Sequence, residues 1–167
     1  MIRTGLIVLV MTMGLTVASH AQTAEKYHKI SDSYVALASQ TLNSGNAAEA
    51  QALYEKALVA NPSSVKALVG LGKAHTAQGR SGRGLKYYRF ALEVTPNNKP
   101  ALVEQSLAFL KKGNIDRATS NQLILERLCS DGCAELSSVN AAIDDFRAHP
   151  PEVKNLEDKA KDKEPEG

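Results

Sequence analysis

The sequence predicts an all-α fold of stacked antiparallel helix hairpins, about three of them, closed by a C-terminal capping helix. Two observations carry this. Tyr34, Leu37, Ala38, Gly45, Ala50, Tyr54, Ala57 and Pro62 recur as Leu68, Leu71, Gly72, Gly79, Gly84, Tyr88, Ala91 and Pro96, with one constant interval separating every pair. A fixed period of this length marks a stacked repeat. Within each copy the apolar residues fall three or four apart, as on one face of a helix, and a glycine turn breaks the run midway.

The first repeat, 31–64, carries Tyr34, Leu37, Ala38 and Leu42 as one stripe, then the turn Asn43-Ser44-Gly45-Asn46, then Ala50, Leu53, Tyr54, Ala57 and Leu58 as a second stripe ending at Asn61-Pro62. Tyr27 and Ile30 continue the first stripe backwards, so this helix begins well before Ser31. The second repeat, 65–98, follows the same scheme. Ala38, Gly72, Ala50, Gly84 and Ala57 are small where paired helices must approach closely. The third, 99–130, is worn. Leu102, Phe109, Gly113 and Ala118 are in place, but Gln105 stands for Leu, Gln122 for the aromatic and Ser130 for Pro. Terminal repeats are often atypical because one face has no neighbour. Asn114 is placed to cap the helix that follows it. Leu136, Val139, Ile143 and Phe146 then mark the capping helix, 133–148, which His149-Pro150-Pro151 ends.

This arrangement of large apolar residue, Leu and small residue, followed by Ala, aromatic, Ala and Pro, resembles the tetratricopeptide repeat family over both complete hairpins. The resemblance implies a right-handed superhelix whose concave face is lined mainly by the first helix of each pair, and a role in holding other proteins or peptides. It places Val35, Ser39, Lys66, Val69, Lys73, Val103, Leu107 and Leu110 along that groove. The family's clamp for C-terminal carboxylates needs paired Lys and Asn. Here Val35, Ser39, Gly70 and Glu104 occupy the corresponding places, so that clamp is not expected.

Outside the repeat domain, 22–149, two segments stand apart. Residues 1–21 read as a secretory signal peptide: Arg3, then the apolar run Gly5–Val17, then Ser19-His20-Ala21 with small residues one and three places before a cut. The run is short of the roughly 20 residues that span a bilayer, so no stable membrane span is expected after cleavage, and the mature chain is expected to be periplasmic or secreted. Residues 150–167 alternate Lys with Asp and Glu and carry almost no large apolar residue, which predicts a disordered charged tail.

The chain has 167 residues and a net charge of +2. Without a clustered basic run, nucleic acid is not the expected partner. Arg83, Lys86 and Arg89 share one helix face, read first as a solvated face and second as a patch for an acidic peptide or polymer. No catalytic signature, phosphate loop, cofactor motif or metal-ligand spacing emerges, and the chain reads as a non-enzyme. Cys129 and Cys133, in an exported chain, read as a disulfide that pins the capping helix; their spacing of three residues, with no strand before them, is not that of a dithiol oxidoreductase. Three functions follow in order: an envelope adaptor binding a protein or peptide in the groove; a thiol–disulfide or assembly accessory using the two cysteines; and self-association through the exposed first helix.

Overall fold

In the computed structural model, residues 2–150 are described, with side chains from Gln22 onward. The side chains of the expected leader and the whole of 151–167, most of the expected tail, lie outside the described residues. Seven helices are found among them and no strand: α1 Ile2–Asn43, α2 Ala47–Ala60, α3 Val65–Ala77, α4 Ser81–Val94, α5 Lys99–Leu110, α6 Ile115–Leu128 and α7 Ala134–Ala148. Helices α1/α2, α3/α4 and α5/α6 form the hairpins, and α7 packs on both α5 and α6. Among the described residues no helix is long and apolar enough to cross a membrane.

The three hairpin turns are built alike. Gly45, Gly79 and Gly113 have positive φ of 86°, 75° and 75°, a left-handed conformation that costs glycine little. At each, the amide after the glycine reaches back to a carbonyl in the last turn: Asn46 to Thr41, Arg80 to His75 and Asn114 to Phe109, at 2.9–3.1 Å. This closing pattern satisfies carbonyls that the helix end would otherwise leave unpaired. Helices α3, α5 and α6 start on side-chain caps. The oxygens of Ser64, Asn98 and Asn114 accept from the Ala67, Ala101 and Arg117 amides.

Small residues set the spacing inside the second hairpin. A methyl at Gly84 would lie 2.9 Å from the Gly72 carbonyl oxygen and inside contact with Thr76 Oγ1, and one at Gly72 would overlap the fully buried Tyr88 ring. Between hairpins, Leu71 packs with Ala38, Ala50, Leu53, Tyr54 and Ala57 of the preceding pair.

That contact corrects one expectation. Leu37 holds the same repeat position as Leu71, yet Leu37 is 49% exposed and Leu71 1%. The position packs against the hairpin before it, and no described hairpin precedes α1. Tyr27, at 54%, is also open.

The worn third repeat has its own logic. Helix α7 continues the period: Leu136, Val139, Asn140 and Ile143 stand one full interval after Leu102, Gln105, Ser106 and Phe109. It occupies the place of a first helix in a fourth pair, with no second helix among the described residues. Gln122 donates to Asn140 Oδ1 on α7 at 2.8 Å, and Asn121 donates to Gln105 Oε1 at 3.0 Å. The glutamines are interhelical partners where earlier repeats use apolar packing. Val139 and Ile143 are fully buried against Leu102, Phe109 and Leu125.

Candidate peptide-binding groove

The first helices α1, α3 and α5 present two rows of side chains in repeat register, Val35–Val69–Val103 and Ser39–Lys73–Leu107. Between α1 and α3, reaching to the start of α5, lies an open hollow of about 430 Å³. Its walls include five of the residues expected there: Val35, Ser39, Lys66, Val69 and Lys73. Val65 and Pro100 add apolar surface, and Asn98, which also caps α5, adds a polar edge.

Its floor is made by Tyr54, which the repeat pattern assigns only to packing, and by Gly70. Tyr54 of α2 lies across Gly70 of α3 so closely that a methyl at Gly70 would overlap the ring. A glycine inside a helix is destabilising by roughly 0.5–1 kcal/mol relative to alanine; here it makes room for the aromatic floor. Burial pushes the Tyr54 phenol above its usual range, while a hydrogen bond with Ser39 and the Lys73 charge pull the other way. Tyr54 therefore stays a neutral hydroxyl at the base of the hollow at neutral pH. The signal that could have found this floor is the helical Gly70 itself, which stands in the register of Ala36 and Glu104.

The far side is bounded by an ion pair. Lys73 Nζ lies 3.3 Å from Glu104 Oε1, joining α3 to α5, with both side chains partly exposed. In water such a bridge is worth little, about 0–1 kcal/mol, and its use is to orient charge along the groove. Lys66, exposed on the rim, has no acidic group within 4 Å among the described residues.

The remaining expected groove residues lie beyond this bridge. Val103 and Leu107 are half-buried. Leu110 is 8% exposed and belongs to the core formed by α5, α6 and α7, so it does not line the groove. Its repeat position, shared with Leu42 and Thr76, faces into the hairpin: Thr76 Oγ1 lies 3.3 Å from Tyr88 Oη.

Cys129 and Cys133 are bonded to each other, with S–S 2.14 Å, at the α6–α7 junction. Cys133 also caps α7, its sulfur accepting from the Leu136 amide at 3.4 Å. His149 pairs with Asp145 at 3.2 Å rather than with the cysteines.

A row of first helices around an open hollow, with second helices on the outer flank, defines a stacked helix-hairpin scaffold. Residues 35–98 match the family model described as tetratricopeptide repeat. No curated protein matches the sequence. Among solved structures, the chain is similar to the type III secretion translocator chaperone SycD of Yersinia enterocolitica (alternative dimer), at 17% identity and TM-score 0.65 over 74% of this chain and 96% of that one. It is also similar to SycD in complex with a peptide of the translocator YopD, at 18% identity and TM-score 0.62 over 70% and 92%. A type III secretion complex from Aeromonas hydrophila aligns at 16% identity and TM-score 0.60 over 81% and 85%. At these identities the likeness is one of fold.

Proposed function

We propose that this chain is a non-enzymatic adaptor of the cell envelope that holds a segment of another protein in the groove of α1, α3 and α5. The observation that carries the reading is the hollow itself. It is preformed and floored by Tyr54 on Gly70, apolar at Val35, Val69 and Pro100, and polar at Ser39, Lys66, Lys73 and Asn98. A rigid surface loses little conformational entropy on docking, so modest contacts suffice to hold an extended or helical segment. The peptide complex of SycD, a protein of the same fold, supports a protein segment as the ligand class. The apolar walls take a hydrophobic side chain, and the unpaired Lys66 favours an acidic residue beside it.

The envelope setting rests on the leader-like sequence of residues 1–21. N-terminal sequencing of the mature protein tests it, and a start at Gln22 is expected. The groove is tested by placing a photo-crosslinking residue at Val35 and, as a control, at Glu93 on the outer flank, in living cells. A discrete adduct is expected from position 35 only, weakened by Lys66→Glu in the same chain. Equal adducts from both positions, or none from position 35, would count against the groove.

A further inference from the structure

On the flank opposite the groove, the second helices α2 and α4 leave a polar notch of about 290 Å³ between them, with α3 beneath. His75 and Tyr87 form one side of it as a stacked pair, ring centroids 5.2 Å apart and planes 15° from parallel. Arg83 and Lys86, one turn apart on α4, reach it from one side, and Gln51 and Glu55 of α2 face them.

Three features distinguish this notch from an ordinary solvated face. First, its cations lack direct ion-pair partners. Arg89, one turn further along α4, pairs with Glu93 at 3.5 Å, whereas Arg83 and Lys86 have no acidic oxygen within 4 Å among the described residues. The nearest candidate, Glu55, is engaged by the Gln51 amide at 2.7 Å. Second, a third cation is fixed at the lip. The Arg80 guanidinium donates to Gln51 Oε1 at 2.6 Å and to Gln78 Oε1, while its Nε is buried without a partner. Third, His75 is only 3% exposed, and its Nδ1 is sealed from water without a hydrogen-bond partner. A sealed bare acceptor is a smaller loss than a sealed N–H, which leaves the proton on Nε2, the nitrogen that is not sealed.

We infer that this notch is a binding site for a small oxyanion, a carboxylate or phosphate group, held between Arg83 and Lys86 with the His75 imidazole beside it. The anion sits on the α4 side, away from Glu55. It supplies the negative charge that three neighbouring cations lack, and the aromatic wall lowers the local dielectric and strengthens the attraction. The site is separate from the groove and does not depend on the adaptor reading.

The test uses the full mature chain, ¹⁵N-labelled, followed by NMR at His75 and at the Arg83 Nε–H during titration with inorganic phosphate, with acetate, and with sodium chloride at matched ionic strength. Saturable shifts with phosphate or acetate, absent with chloride, are expected; the arm that saturates at lower concentration tells a tetrahedral from a planar oxyanion. Arg83→Gln/Lys86→Gln, both on exposed side chains, is expected to weaken binding at least tenfold, while Lys56→Gln/Lys112→Gln leaves it unchanged. Bound anion is also expected to raise the pH at which His75 titrates, against the opposing Arg80, Arg83 and Lys86 charges and with Glu55, beside the Tyr87 ring. Shifts that stay linear, match chloride, or survive Arg83→Gln/Lys86→Gln overturn the inference.

Discussion

Leu37 and Leu71 occupy one repeat position in successive copies, and the stacking geometry predicts very different energies for them. Truncating either to alanine removes about three methylene equivalents, worth roughly 0.8 kcal/mol each when fully buried. Leu71 is 1% exposed among Ala38, Leu53, Tyr54 and Ala57, whose backbones cannot close over the void. Adding a cavity contribution to the transfer loss of about 2.4 kcal/mol places Leu71→Ala near 3–4 kcal/mol, within the usual range for buried leucines. Leu37 is 49% exposed and leaves no closed cavity, so Leu37→Ala is expected to cost about 1 kcal/mol or less. Both lie inside helices, so the change in helix propensity cancels. With a urea slope of about 2 kcal/mol per molar, Leu71→Ala should lower the unfolding midpoint by about 1.5–2 M and Leu37→Ala by about 0.5 M or less. Equal shifts, or a larger one for Leu37, would refute the claim that this position acts only by packing on the preceding hairpin.

The same contacts set other outcomes. Gly72→Ala gains about 1 kcal/mol of helix propensity but drives a methyl into the fully buried Tyr88 ring; overpacking of about 1–3 kcal/mol should win, so the melting temperature falls by a few degrees, and a rise would refute the contact. Burial, and for Tyr88 also Glu104, pushes the Tyr88 and Tyr54 phenols upward, partly offset by hydrogen bonds to Thr76 and Ser39; with folded values above the unfolded value near 10, this stability is complete below that pH and is lost as pH rises beyond it, measurable by urea unfolding at pH 8 and 11. His75 shifts downward, chiefly by burial and then by Arg80 and Arg83; its contribution is present above about pH 6.5 and lost as pH falls through the lower folded value, so His75→Gln should flatten the acid limb. Cys129→Ser/Cys133→Ser should reduce stability by up to about 2 kcal/mol, because the closed loop is short, with faster amide exchange confined to α6 and α7 and adduct formation at position 35 unchanged.

Much of this fold is legible in the sequence because each repeat solves the same local problem. Gly45, Gly79 and Gly113 mark turns that need a left-handed residue, and Ser64, Asn98 and Asn114 mark helix starts. Groove residues such as Val35 and Lys73 follow from register alone, since the row is periodic. What the period cannot show is whether a neighbour is present, and so it gives Leu37 and Leu71 the same role. Nor does it show that Leu110, expected on the groove face, turns into the hairpin as Thr76 does. Tyr54 on Gly70 was hidden for another reason. A packing residue and a groove floor can be the same atoms seen from two sides, and a sequence records only the first.

The two ends of the stack are finished in opposite ways, and the sequence changes that look like decay follow from this. At the C-terminal end, α7 supplies one more first helix in register. It buries Val139 and Ile143 under α5 and α6, and the row Val35–Val69–Val103 continues into Ser137, while Ser39–Lys73–Leu107 continues into Ala141, both exposed. The residues that meet α7 differ from those of the earlier repeats: Gln122 replaces the aromatic and bonds Asn140. With no proline at Ser130 to break the chain, the Cys129–Cys133 bridge and the Cys133 cap take over the turn. The row is therefore apolar from Val35 through Val69 to Val103, crossed by the Lys73–Glu104 pair, and turns polar at α7. The loss of the repeat signature in the third copy reads as adaptation to its contacts with α7 rather than erosion of the fold.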